Sequence, residues 1–364
     1  MTLQIATRQP IAALNALRSR LKLRRCAELG TSPSVIGRVW IHGPGKLRIG
    51  DRVRLDASSS PIELFIGPGA EIVLGHDVEI QGGTSIEALQ SVRVDDGCRI
   101  GALCKVMDSN FHPTVGDRQA KAPSAPVVIE AGATLESRVI VLTGARVPRG
   151  KVVACGSVVR GRPAALAVGP PAKLRAAVPE PPLFRRMLER LRRDPLALLR
   201  FEIARLRGAI LLRHCRRGAR VYTFGDVRVT NKGVIRLGNR VGFSEGMIPT
   251  KLVCRQGAEI SIGAKTYFSY GASIEARRLV TVGERCMIAS MVRIADATED
   301  AYGPVAIGDD VWIAHGAVIA PGVSVGAGSL ISAGSVVTKD VPPHSLVIGN
   351  PSRCIGLSVM GASE

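Results

Sequence analysis

Aliphatic residues recur at every sixth position in two stretches of the chain. Ile307, Ile313, Ile319, Val325, Ile331 and Val337 form one ladder. Val311, Ala317, Val323, Ser329 and Ser335 follow four residues behind its first five members. Ile129, Leu135, Val141, Val147, Val153 and Val159 form the other, with Ala133, Val139, Ala145, Lys151 and Ser157 at the small position. Six residues make about 1.7 helical turns, so a helix would scatter this ladder around its circumference. A short strand plus a corner instead returns each sixth residue to the same inward side, and three such sides close one coil of a triangular solenoid. Gly308 and Gly326, beside ladder residues, suit corners that need small size or unusual dihedrals.

The ladders belong to a larger duplication at an offset of 188 residues, ungapped from Gly37 to His112. Gly69-Ala70-Glu71-Ile72 and Ser85-Ile86-Glu87-Ala88 recur as Gly257-Ala258-Glu259-Ile260 and Ser273-Ile274-Glu275-Ala276. Beyond it the first copy keeps ten more residues, because His112 to Pro126 spans 14 while Asp300 to Pro304 spans 4. The expected domains are a basic N-terminal helix (1–30), a first solenoid (31–178), a basic helical linker (179–218) and a second solenoid (219–364).

Of 364 residues, 46% are hydrophobic and 22% charged, which excludes disorder, and 40 glycines against 4% aromatics fit a repetitive β architecture. The excess of 49 Lys+Arg over 30 Asp+Glu is localised. Residues 1–27 carry +6 and residues 181–220 carry +9, so 15 of the 19 net charges sit in two helical segments. In the second segment Leu196, Leu199, Ile203, Leu206 and Ile210 keep helical spacing. The expectation is that this apolar face packs on its own domain. The alternative is peripheral contact with an anionic membrane. Nucleic acid is not expected, because no base-reading motif accompanies the charge. The lack of a long apolar run or a signal-peptide pattern suggests a cytoplasmic protein. The eight cysteines include no C-x-x-C pair, and Cys98, Cys104 and Cys286 fall at small inward positions, so they read as core.

Three segments carry a family resemblance: Pro304-Val305-Ala306-Ile307-Gly308-Asp309-Asp310-Val311-Trp312-Ile313, Ala333-Gly334-Ser335-Val336-Val337-Thr338-Lys339-Asp340-Val341-Pro342-Pro343, and Gly349-Asn350-Pro351-Ser352-Arg353. Together they resemble hexapeptide-repeat acyltransferases, which include galactoside, maltose and surface-polysaccharide O-acetyltransferases. The first copy has a weaker form in Cys155-Gly156-Ser157-Val158-Val159 and Gly169-Pro170-Pro171-Ala172-Lys173. The resemblance implies an all-β fold of two tandem left-handed parallel β-helices, a homo-oligomer with a trimer favoured, and acetyl-CoA as co-substrate. It also implies a groove in which Trp312, Ala314, Gly334, Lys339, Asn350 and Arg353 of copy two, with Lys173 and Arg175 of copy one, contact that co-substrate.

Acyl transfer to a hydroxyl needs a base for the hydroxyl proton and a donor for the developing oxyanion. Asp108-Ser109-Asn110-Phe111-His112-Pro113 is similar to the family's Asp-x-x-x-His-Pro segment, which implies His112 as base, with Asp108 counted among the catalytic residues. By position, Ser137 matches the family's backbone oxyanion donor. Glu87 and Asn110 are the candidates for acceptor binding, and Glu87 is equally a corner carboxylate or an orienter of His112. Copy two places Asp300 where copy one has His112, and a carboxylate with a pKa near 4 is a weak base for an alcohol. His315 of copy two is a groove residue or a substitute base. Copy one in turn has Thr134-Leu135-Glu136 in place of Trp-Ile-Gly. Either copy one works alone, which is the favoured reading, or His112 acts on a thioester held against copy two. The six histidines include no close pair of the kind a zinc site of the related carbonic anhydrases would need, so no metal is expected. The expected function is acetyl-CoA-dependent O-acetylation of a sugar, a glycan or its lipid-linked precursor. The alternatives are N-acylation of an amino sugar and a scaffold of two degenerate β-helices.

Overall fold

The computed structural model describes residues 18–109, 124–161 and 195–356. The chain divides into two compact units at residue 175. Each is a left-handed parallel β-helix, and the expected solenoid is the fold observed. In the first unit one face stacks Glu28–Leu29, Lys46–Ile49, Glu71–Leu74, Ser91–Val94, Val127–Ile129 and Arg146–Val147 in parallel. The other two faces are joined by the long strand Arg54–Ile66, whose start pairs with Glu79–Gln81 and whose end pairs with Ser85–Ala88. The solenoid already includes Glu28–Leu29, so it begins a few residues before the expected boundary at 31. In the second unit the three faces are three separate sheets.

Register between coils puts like aliphatics in line. Leu64, Ile86, Val106, Val141 and Val159 pair in succession in unit one, as do Leu252, Ile274, Ile294, Ile319 and Val337 in unit two. The steps are 22, 20, 35 and 18 residues against 22, 20, 25 and 18, so the ten extra residues lie within one coil and leave the register intact. Except for Val159, which is partly buried, these side chains are buried, as are the thiols of Cys98, Cys104 and Cys286. Burial pushes the Cys104 thiol up to about 11.

The corners explain why the chain coils. Arg52, Asp77, Leu103 and Arg138 in unit one, and Arg240, Lys265, Arg285, Met291 and Asp310 in unit two, adopt positive φ between 55° and 61°. The left-handed region costs an L-residue about 1–2 kcal/mol. Each of these residues donates its N–H to the carbonyl of the residue preceding the matching corner one coil back. Examples are Arg52 to Thr31 (2.8 Å), Asp77 to Asp51 (2.9 Å), Leu103 to Gly82 (3.1 Å) and Met291 to Tyr270 (3.1 Å). Stacking therefore satisfies, at every coil, the backbone group that the strained corner presents.

The helix Pro195–Leu211 caps the second unit. It packs through Ala204, Gly208 and Leu212, which are buried, and not through the expected aliphatic face. A Cβ at Gly208 would lie 3.1 Å from the Val221 carbonyl oxygen and 3.2 Å from the Tyr222 Cα, so the small residues let the helix sit directly on the first coil. Leu196, Leu199, Ile203, Leu206 and Ile210 face solvent instead. Periodicity identifies the two faces of a helix without deciding which one packs. Here close backbone approach along Ala204 and Gly208 wins.

Two glycines of unit two separate strain from crowding. Gly257 has φ +74° and open space around a Cβ, whereas a Cβ at Gly263 would lie 2.5 Å from the Gly283 carbonyl carbon of the next coil. Gly257→Ala is expected to cost about 1 kcal/mol, and Gly263→Ala roughly 3 kcal/mol or more because two backbones must part. Urea unfolding of the two variants measures the difference, and equal costs would contradict the stacking described.

Candidate active site

The strand Lys105–Met107 ends at Asp108, which is fully buried. Its carboxylate accepts the N–H groups of Leu89 (2.8 Å), Gln90 (2.7 Å) and Ser91 (2.7 Å), the corner one coil back. Burial pushes this carboxyl upward, while the amide hydrogen bonds pull it down. The Asp108 carbonyl accepts from Ala125 N–H at 2.9 Å, and Ser109 bridges Ser124, so the two ends of the following loop are pinned together. His112 and Asn110 lie between these ends, outside the described residues, as do Lys173 and Arg175.

The second copy repeats the anchor without the histidine. The Asp296 carboxylate accepts from Arg277 (2.7 Å), Arg278 (2.6 Å) and Leu279 (2.7 Å), and its carbonyl accepts from Gly303 N–H at 2.9 Å. Ala297 bridges Tyr302, and Thr298 N–H donates to the Ala301 carbonyl at 2.7 Å, closing a tight turn that leaves Asp300 exposed. Asp108 therefore does in copy one what Asp296 does in a copy that lacks the histidine. The carboxylate expected among the catalytic residues is committed to three backbone amides and fixes the root of the loop.

Ser137 sits half-buried at a corner beside a groove of ≈ 380 Å³ lined by Arg99, Gly101, Leu135, Glu136 and Cys155. Glu136, the departure from Trp-Ile-Gly, turns its Oε2 onto the Cys155 N–H at 2.8 Å, so its charge is taken up by the next coil's corner. At the matching corner of copy two, Trp312 is buried, Ala314 is half-buried, and His315 stands where copy one has Ser137. His315 Nδ1 is 2.8 Å from Ser290 Oγ, and Gly334 donates its N–H to the His315 carbonyl at 2.9 Å. Trp312, Ala314 and Gly334 thus share one corner column. Lys339 is exposed beyond it, and Asn350 and Arg353 belong to the closing hairpin of Ser345–Ile348 with Arg353–Gly356.

The outward side of the face that carries Lys105–Met107 holds a polar cluster that sequence reading missed, apart from Glu87. Glu63, Ser85 and Lys105 stand in line across three coils. Lys105 Nζ contacts Glu87 Oε1 and lies 3.0 Å from Ser85 Oγ. Ser85 Oγ bonds Glu63 Oε2 at 2.8 Å and Glu87 Oε1 at 3.0 Å, and Glu63 Oε1 lies 3.0 Å from His42 Nε2. Trp40 stacks on His42 with ring centroids 4.1 Å apart. Lys105 is 2% and Glu63 4% exposed. Burial pulls the Lys105 ammonium below its usual range, against the opposing charge of Glu63. Glu87, the expected acceptor ligand, is thus held by Lys105 and Ser85. Among the described residues, no group of three His, Cys, Asp or Glu side chains converges as metal ligands.

Comparison with known proteins bears on the coil pattern directly. Residues 304–339 match the family model described as bacterial transferase hexapeptide (six repeats). The chain belongs to the hexapeptide-repeat family. It is 46% identical over 114 residues to nodulation protein L of Rhizobium meliloti (strain 1021), a match covering 28% of this chain and 62% of that protein. It is 36% identical over 110 residues to the galactoside O-acetyltransferase of Escherichia coli (strain K12), covering 27% and 54% respectively. A maltose O-acetyltransferase structure from Clostridium difficile 630 is similar at 32% identity over 33% of this chain and 67% of that one, with a TM-score of 0.29. The chain thus spans about half to three fifths of the length of these curated relatives.

Within this hexapeptide-repeat chain the signal for the polar cluster lay in comparing the copies. At the positions of His42, Glu63 and Lys105, copy two has Thr230, Lys251 and Arg293, all exposed. Lys105→Ala strands two carboxylates and is expected to lower the stability of unit one by about 3–5 kcal/mol, with Glu63→Gln recovering part of the loss. Urea unfolding followed through Trp40 measures it. A loss below about 1 kcal/mol would show that these groups are not coupled.

Proposed function

We propose that the chain is an acetyl-CoA-dependent O-acetyltransferase acting on a hydroxyl of a sugar or glycan, with His112 of the first copy as general base. The observation that carries this reading is an asymmetry between otherwise matching corners. Asp108 and Asp296 form the same amide lock, and only the first continues into Asn110-Phe111-His112-Pro113. Hexapeptide-family membership and relatives named as acetyltransferases support the reaction class.

In the proposed reaction the neutral imidazole of His112 takes the acceptor hydroxyl proton as the oxygen attacks the thioester carbonyl carbon. The C–S bond then breaks, and the imidazolium returns the proton to the departing CoA sulfur. Ser137 N–H is the proposed donor to the carbonyl oxygen as it gains charge. Glu87, held by Lys105 and Ser85, presents a fixed carboxylate oxygen to acceptor hydroxyls. The groove beside Ser137 is the proposed place of the pantetheine arm, and the Glu136–Cys155 hydrogen bond removes the objection that a bare carboxylate would stand in it. Lys173 and Arg175 are the proposed partners of the CoA phosphates.

His112→Ala is expected to lower CoA release with sugar acceptors by roughly 10²–10⁴-fold with an unchanged circular dichroism spectrum. The wild-type kcat/KM should rise with pH through about 6.5 and then level, because the base works only when neutral. Full activity in His112→Ala would remove the base. Absence of acetyl-CoA binding by calorimetry would favour a scaffold.

A further inference from the structure

The aliphatic stripe of the helix Pro195–Leu211 faces away from the unit on which the helix packs. Leu196, Leu199, Ile203, Leu206 and Ile210 are between 49% and 64% exposed, and over 14 residues the stripe runs about 21 Å. Five aliphatic side chains in a row on one helix face are an interaction surface rather than scattered surface apolarity. The surroundings are cationic, with seven arginines against one glutamate in residues 195–220. At about 100° per residue Arg200 and Arg207 border the stripe on one side and Glu202 on the other, and Arg213 lies in the turn after the helix. Arg205, on the side away from the stripe, is paired with Glu202 at 2.8 Å. Arg200 and Arg207 also line a depression of ≈ 540 Å³ beside the stripe, together with Ile203, Ala204, Thr223, Phe224 and Glu245. Arg207 is held there by the Phe224 carbonyl and Asp226, both at 2.9 Å.

We propose that this helix docks the protein in plane on an anionic phospholipid surface, with the aliphatic stripe in the acyl boundary and the bordering arginines at the headgroups. The charge pattern selects this occupant. A second copy laid antiparallel on the stripe would bring the Arg200–Arg207 margin against itself, whereas an anionic surface complements that margin. No helix among the described residues is long and apolar enough to cross a membrane, so the attachment is by one face. The inference is independent of the acyl-transfer reading.

The test is co-sedimentation of the full chain with phosphatidylcholine vesicles, with and without phosphatidylglycerol. Binding is expected to the anionic vesicles and to weaken with salt. The triple variant Leu199→Gln, Ile203→Gln, Leu206→Gln changes only exposed side chains and is expected to lose at least ~10-fold in vesicle affinity. Arg200→Gln with Arg213→Gln is expected to lose about 10-fold on anionic vesicles only. Equal binding by the triple variant, or none by the wild type, would overturn the proposal. So would a wild-type oligomer in solution that the triple variant dissociates while vesicle binding is absent.

Discussion

The hydrogen bond from a left-handed corner residue to the carbonyl one coil back is the contact on which the rest of this molecule depends. A lone coil would leave that strained corner with its N–H facing nothing, and its inward aliphatics would lack neighbours above and below. Stacking answers both needs together. The same geometry fixes where every outward side chain points, so functional groups enter as substitutions on a rigid column and as loops let out between fixed anchors.

The loop after Asp108 shows how this works. Ten more residues are accommodated in one copy without disturbing the succession Leu64, Ile86, Val106, Val141, because the buried carboxylate and the Ser109–Ser124 bridge close the column on either side of the insertion in sequence. Copy two keeps the carboxylate and closes the gap with a short turn. Duplication thus separates the structural part of the motif from the part proposed to carry the chemistry within one chain. The polar face of copy one makes the same point, since Glu63 and Lys105 are buried and paired where copy two exposes Lys251 and Arg293.

The solenoid, the duplication and the inward cysteines were legible because they are written as fixed spacings of residue types. The corners were legible only where glycine marks them. Arg52, Asp77, Leu103 and Arg138 take the same backbone conformation, and nothing in a long side chain announces a left-handed φ that stacking compensates. Asp108 read as chemistry from its spacing to His112, although the retention of Asp296 beside Asp300 already pointed to architecture. The packing side of the helix was misread because hydrophobic spacing outweighed the close approach that Ala204 and Gly208 permit. His42, Glu63 and Lys105 escaped notice because each is an ordinary outward residue until the register aligns them.

The central claim is that one amide-locked corner serves architecture in both copies and chemistry in the first alone. It is tested by acetyl transfer and urea unfolding of Asp108→Ala beside Asp296→Ala, with activity read well below each unfolding transition. The account predicts that each loses roughly 3 kcal/mol in its own unit, as three amides lose their acceptor, and that turnover collapses only in Asp108→Ala. Turnover lost equally in Asp296→Ala, or preserved in Asp108→Ala, would contradict it.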